Sequence, residues 1–367
     1  MDSLSQFVLG AAVATAVAGP KIGARKAALL GGALGTLPDL DVFIPFGNPI
    51  DDFILHRGFS HSLIVHAALT PVLGELVRRS FSALRERRVI AWSVVFLVLS
   101  THALLDAMTI YGTRLFWPVW DEPLGLGSIF IIDPLYTIPL LIVTLWAFLR
   151  RDLGSQLQQA SHLALALSAL YLGWSMIAQM QAEERGKAVL ANAGLSSEEV
   201  SVGPMPFNTL LWRITAIDGD QYHNVYLSLI GKDEDIALHS HHRLDLTVEC
   251  LQSIKEADKL YDFADGFVEA RYIDGKLRVS DLRMGVIPNY VFSFDVAELN
   301  GDQLKEIAPV RRLANSRSEE GDDDWLLAAL KGQVRPRPAE TLLSARTTRN
   351  LAESGVACYS RAQTRSG

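Results

Sequence analysis

Cysteine is nearly absent from this 367-residue chain. Its two cysteines, Cys250 and Cys358, lie far apart, which excludes a CxxC metal site; they could form one bridge, but the favoured reading is two unpaired thiols. Positive charge is also short. Lys and Arg number 34 against 41 Asp and Glu, a net charge of −7. That is the wrong sign for a general nucleic-acid binder, so no nucleic-acid partner is expected. No basic residue precedes the first apolar run, Phe7 to Ala18, whereas Lys21, Arg25 and Lys26 follow it. A cleaved signal peptide has the opposite order, so this run reads as a retained membrane segment.

Charge is scarce over residues 1–182 and frequent from Glu183 onward. The length and this break predict three parts: a membrane-embedded domain over 1–182, a water-soluble domain over 183–310, and a charged, largely disordered tail over 311–367. Val89–Thr109, Ile129–Leu149 and Leu163–Met180 each approach the ~20 residues needed to cross the hydrocarbon core. Ser62–Val77 is shorter. Phe7–Ala18 and Ala27–Leu37 are short and rich in Gly and Ala, suiting close helix packing in a partly re-entrant hairpin. The expected fold is an α-helical membrane bundle of about 4–6 segments, followed by a smaller α+β domain with antiparallel strands.

Basic residues cluster at Lys21–Lys26, at Arg78–Arg88 and at Arg150–Arg151. The positive-inside rule puts all three on the cytoplasmic side. The connections at 42–60 and 111–128, and everything after Met180, then face the other side. Beyond residue 183, alternation at Leu210–Ala216 and a turn signal at Asp218-Gly219 before Tyr222–Ile230 predict a hairpin. Phe267–Ile273 and Leu277–Leu282 flank Asp274-Gly275 in the same way, and Val248–Phe263 has helical spacing. The tail holds an acidic run, Glu319 to Asp324. From Lys331 on it has seven basic and two acidic residues, which reads as a solvated tail, with binding of anionic lipid or nucleic acid as the rarer alternative.

Ionisable residues are costly in lipid and usually functional. Four groups stand out: Asp39 and Asp41; His56, Arg57 and His61; His102 and Asp106; and Asp133. On the expected topology all four meet at the face opposite the arginine loop. His102 and Asp106 are at i and i+4, on one helix face. His61 is expected in the first turn of its helix with Ser60 as N-cap. Asp39, Asp41, His56, His61, His102 and Asp106 are therefore the candidate metal ligands. Mixed carboxylate and imidazole donors suit zinc first, with manganese or iron as alternatives. Arg57 is the candidate for stabilising an anionic group, and Asp39 or Asp41 for the base. The plainer readings are that Asp133 caps its helix, that His66 packs, and that His239, His241 and His242 are solvated loop histidines.

The stretches DSLSQFVLGAAV, ALLGGALGTLPDLDV, HRGFSHSL and HALLDAMTIYGTRLFWP resemble the inner-membrane-associated metal-dependent hydrolase family (YdjM-like). The resemblance continues through IDPLYTIPLL to DLRMGVIPNYVF, roughly residues 1–295. It implies a metal-dependent hydrolase of the bacterial inner membrane. It also implies that the six candidate ligands match the family's polar positions, with Arg57, Tyr111 and Asp133 as neighbours. A looser likeness in residue order is to zinc-dependent phospholipase C proteins. It tilts the expected substrate towards a phosphoester or lipid-derived ester among membrane lipids, with site and soluble domain on the non-cytoplasmic side. The alternatives are a scaffold or regulator with a structural metal and, less favoured because its polar residues cluster at one face, a transporter.

Overall fold

The computed structural model describes residues 1–196, 198–232, 235–300, 303–314 and 318–344. It divides into two compact units. The first holds Met1–Ile44, His56–Met180 and Pro204–Thr209, and the second Pro45–Leu55, Gln181–Gly203 and the chain from Leu210 on.

The first unit is helical: α1 (Ser3–Val17), α2 (Gly19–Ile22) and α3 (Ala24–Thr36), with α4 (Pro49–Leu55) intervening in the other unit. It continues with α5 (Leu63–Ser80), α6 (Arg88–Ala107), α7 (Pro134–Leu149) and the first part of α8 (Ser155–Asn192). Helix α1 is the centre of the packing. Its residues from Val8 to Thr15 are buried without a break, as expected of a helix apolar on every face, and it packs on α3, α6 and α7. The α1–α3 contact is backbone to backbone. A Cβ on Gly31 would lie 2.1 Å from the Gly10 carbonyl oxygen, and one on Gly35 2.7 Å from that of Gln6. Gly31 and Gly35 form the small-xxx-small spacing that permits such approach.

The expectation of 4–6 membrane segments is corrected. Among the described residues two helices, α6 and α8, are long and apolar enough to cross a membrane, or three if Pro49–His61 and α5 count as one broken span. Apolar composition overstated the count because an apolar run is not a helix of equal length. In Ile129–Leu149 the helix starts only at Pro134, where Asp133 caps it. Its 16 residues rise about 24 Å, short of the ~30 Å core. The 15 residues of α1 rise about 22 Å. By contrast, the 20 residues of α6 rise about 30 Å.

The second unit contains two four-stranded sheets. One is β1 (Val200–Pro204), β2 (Leu211–Asp218), β3 (Gln221–Ser228) and β4 (Ala237–His242), in that order. The other runs β10 (Gln303–Arg312), β9 (Ser293–Asn300), β6 (Lys276–Asp281), β5 (Val268–Ile273), and β7 (Gly285–Val286) pairs with β8 (Asn289–Tyr290). The pairs β2–β3, β3–β4, β5–β6, β6–β9, β9–β10 and β7–β8 are antiparallel. The β5–β6 turn places Asp274 and Gly275 at φ of +53° and +80°, the left-handed pair that a two-residue hairpin needs. Helices α9 (Val248–Ser253) and α10 (Lys255–Phe263) share a core with α4, β5, β6 and β9.

Two further expectations change here. Residues 322–330 and 338–344 form helices α11 (Asp322–Leu330) and α12 (Pro338–Ser344), so the tail over 311–367 is not irregular throughout. The acidic run supplies the first turn of α11, where carboxylates complement the helix dipole. Cys250 is disulfide-bonded rather than a free thiol, and Cys358 lies outside the described residues, as does the tail after 344.

Candidate metal centre

Three chain segments deliver the polar side chains. The last turns of α6 carry His102 and Asp106. At the end of α3, Pro38 starts a 3-10 turn, Pro38–Phe43, that holds Asp39 and Asp41. A second 3-10 turn, Phe59–His61, precedes α5. Ser62, not Ser60, caps α5, accepting from the amides of Ile64 and Val65. Arg57 adopts φ +65°, a left-handed conformation costing a non-glycine residue roughly 1–2 kcal/mol. The turn points its amide at Asp41 Oδ2 (3.1 Å), and its side-chain Nε lies 3.3 Å from Asp106 Oδ2.

Four of the six expected ligands converge. Asp39, His61, His102 and Asp106 each present one ligand atom, all within 4.8 Å of one another. His61 Nε2 lies 3.0 Å from His102 Nε2, and Asp39 Oδ1 is 3.4 Å from each of these nitrogens. Asp106 Oδ2 is 3.3 Å from His61 Nε2 and 3.7 Å from His102 Nε2. The edge of a tetrahedron with bonds of ~2.0–2.1 Å is roughly 3.3–3.4 Å; the five separations above are near that edge, while the group as a whole spans up to 4.8 Å.

The hydrogen bonds behind the ligands set which nitrogen of each ring carries hydrogen. His102 Nδ1 meets the Gly35 carbonyl oxygen at 2.6 Å; a carbonyl only accepts, so Nδ1 is the donor. Ser60 Oγ donates to Asp41 Oδ2 at 2.5 Å and therefore accepts from His61 Nδ1 at 2.9 Å. The two Nε2 atoms, 3.0 Å apart, have room for at most one proton between them, so at least one imidazole directs a bare lone pair inward. Asp106 Oδ1 is occupied by the Met1 amino group and by Gln6 Nε2 (3.0 Å), while Oδ2 is buried without a hydrogen-bond partner. Such an orphan oxygen costs about 1–3 kcal/mol or more if nothing compensates it. Burial pushes the Asp39 carboxyl up, but the adjacent imidazoles of His102 and His61 outweigh it and hold it well below the usual carboxylate range.

The other two expected ligands point elsewhere. Asp41 Oδ1 meets His56 Nδ1 at 2.7 Å, so these two satisfy each other and Asp41 supports the ring of His61 through Ser60. Arg57 Nη1 donates to Thr109 Oγ1 at 3.1 Å. Asp133 is a helix cap: it accepts from the amides of Leu135 and Tyr136 and from the Tyr171 hydroxyl at 2.8 Å, and it does not join the cluster. Tyr111 lies in the turn just after α6. The buried His66 meets the Ser60 carbonyl at 2.8 Å. His239 and His241 are not solvated loop residues; both are buried on β4, and His242 is half-buried at its end. Sequence reading missed Gln6, Gly35, Ser60 and Thr109. Gln6 alone carried a signal, as an amide at the edge of the first apolar run.

The chain is thus an integral membrane protein with a buried His/Asp cluster at one end of a helix long enough to cross the bilayer. Residues 1–182 match the model of a family described as YdjM inner membrane protein. The match stops well short of residue 295, to which the motifs extended, and the family description names no activity. No curated protein and no solved structure matches the chain.

Proposed function

We propose that the chain is a membrane-bound metal-dependent hydrolase acting on a phosphoester or lipid-derived ester. The supporting observation is the convergence of four donor atoms whose imidazole tautomers are held from behind and whose Asp106 Oδ2, beside Arg57, has no hydrogen-bond partner. Asp39, His61, His102 and Asp106 hold the ion, zinc by donor type, with manganese or iron as alternatives. When bound, a divalent ion there polarises the ester or phosphoryl oxygen and acidifies water towards neutral pH. Asp39, whose side chain keeps 18% exposure, takes the proton of the attacking water with its second oxygen. Arg57, beside Asp106, neutralises the anionic group. Water oxygen bonds to phosphorus or the acyl carbon, the ester bond breaks, and the proton ends on the departing oxygen.

The test is a panel of soluble phosphoesters and carboxylesters with and without chelator, alongside metal analysis. Chelator-sensitive turnover by wild type, absent in His61→Ala, is expected; stoichiometric metal with no turnover of any ester would favour a structural metal in a scaffold. That second reading has its own support, because four protein donors within 4.8 Å of one another could fill every position of a closed site.

The site is assigned to the non-cytoplasmic side. Helix α6 starts beside Arg85, Arg87 and Arg88 and ends at the site, so it leaves the cytoplasmic face at its N-terminus. The disulfide at Cys250 suits an oxidising compartment for the second unit. Labelling of engineered cysteines at Ser82 and Gln221 from opposite sides of sealed vesicles is the expected result, and labelling from one side contradicts it.

A further inference from the structure

The two turns that build the metal centre, and the loop joined to them, carry large apolar side chains that the protein leaves uncovered. In the 3-10 turn of Asp39 and Asp41, Val42 is 66% and Phe43 79% exposed. Phe59, two residues before His61, is exposed as well. The loop after α6 is hydrogen-bonded to the second turn: Leu63 N donates to Leu115 O at 2.9 Å, and Ser62 Oγ to Trp117 O at 2.6 Å. On that loop Phe116 and Trp120 stack at 6.1 Å in the open, and Val119 between them is 83% exposed.

This rim is continuous with surface that faces lipid. Leu104, between His102 and Asp106 on α6, and Leu135, at the start of α7, are exposed too. Because α6 has the length of the hydrocarbon core and Asp106 sits in its last turn, the metal centre lies at the depth where acyl chains meet headgroups. Exposed Phe and Trp at that depth are what an interfacial surface requires. Cationic groups lie at the same level: Arg57 beside Asp106, and Arg114, which holds Asp121 at 3.0 Å.

We infer that the rim of Val42, Phe43, Phe59, Phe116, Val119 and Trp120 sits in the outer part of the leaflet and seats the acyl chains of an anionic phospholipid, whose phosphodiester enters the metal centre without leaving the bilayer. This rests on the hydrolase reading above and commits it to a lipid substrate, as opposed to a phosphoester free in solution.

The test uses the full chain in lipid nanodiscs, loaded with zinc. Turnover of phosphatidylglycerol in the disc is compared with turnover of water-soluble bis(p-nitrophenyl) phosphate. The double variant F43S/W120S is expected to lower the lipid-to-soluble ratio at least tenfold, while Leu327→Ser, an exposed apolar residue of α11, leaves it unchanged. Separately, a spin label at Val119→Cys is expected to relax faster with oxygen than with a water-soluble nickel chelate. An unchanged ratio in F43S/W120S, or a label reached mainly by nickel, overturns the proposal. If neither phosphodiester is turned over, the hydrolase reading fails, and the label still decides whether the rim is in lipid.

Discussion

The protein contains two buried clusters built from the same residue types, and they differ in one respect. In the second unit, His241 Nε2 meets Glu340 Oε2 at 3.1 Å, and Glu340 Oε1 accepts from Asn224 Nδ2 and the Tyr226 hydroxyl. His239 Nε2 accepts from the Arg337 amide, and Arg337 itself is paired with Asp322. Each of these atoms is paired with a separate partner, and the network fastens α12 to the sheet. In the first unit the outer nitrogens are likewise anchored, but the inner atoms of His61, His102, Asp39 and Asp106 face one another. Histidine and carboxylate identity therefore does not mark a metal centre. Convergence of atoms left without separate partners does.

The contrast predicts opposite responses to histidine removal. His61→Ala and His102→Ala are expected to lower metal affinity by more than about 100-fold, beyond the 10–100-fold typical of groups that only support a ligand. His241→Ala is expected to leave metal content at the wild-type level and instead destabilise the second unit by about 1–3 kcal/mol, the cost of stranding buried Glu340. Elemental analysis of purified protein with thermal unfolding separates the two.

A second difference lies in how each unit is held. The first depends on backbone contact between α1 and α3, which also places Gly35 behind His102. Gly31→Ala forces a Cβ against the Gly10 carbonyl and is expected to cost about 1–3 kcal/mol or more, read as a lowered unfolding temperature in detergent together with weaker metal retention.

The second unit carries a pH dependence of its own. Burial raises the Glu269 carboxyl to about 7 from an ordinary value of 4.5, although its side chain retains 13% exposure and Arg271 stands 3.5 Å away. The folded state thus holds this proton more tightly than the unfolded chain. The stability it contributes is complete below pH 4.5 and is lost as pH rises through about 7, on the order of 2–3 kcal/mol. Unfolding between pH 5 and 8 is expected to show that loss in wild type and a flatter profile in Glu269→Gln. An identical slope in both would remove Glu269 as the cause.

The smallest expected effect sharpens the distinction between ligand and support. Ser60→Ala removes the hydroxyl that bridges Asp41 and His61 while leaving all four ligands, and is expected to weaken metal binding about tenfold. A loss as large as that in His61→Ala would place Ser60 among the ligands.

Much of this was legible in the sequence, and the reasons for the failures are specific. Turn chemistry is local, so Asp218-Gly219 and Asp274-Gly275 located both hairpins. The four converging residues were legible as candidates because ionisable residues interrupt apolar segments. That Asp41 and His56 pair with each other instead of joining the cluster was not, because the left-handed turn at Arg57 and the Ser60 bridge are tertiary facts. The number of membrane-crossing helices was misjudged because α1 is apolar for burial among other helices and α7 is shortened by its Asp133 cap. The burial of His239 and His241 depends on Glu340, about a hundred residues away.

The most direct test is X-ray absorption spectroscopy of the full-length protein loaded with one equivalent of zinc. The account predicts two imidazole nitrogens and two carboxylate oxygens at ~2.0–2.1 Å, with one imidazole lost in His102→Ala. An ion surrounded by water oxygens alone, or a spectrum identical in wild type and His102→Ala, would contradict it.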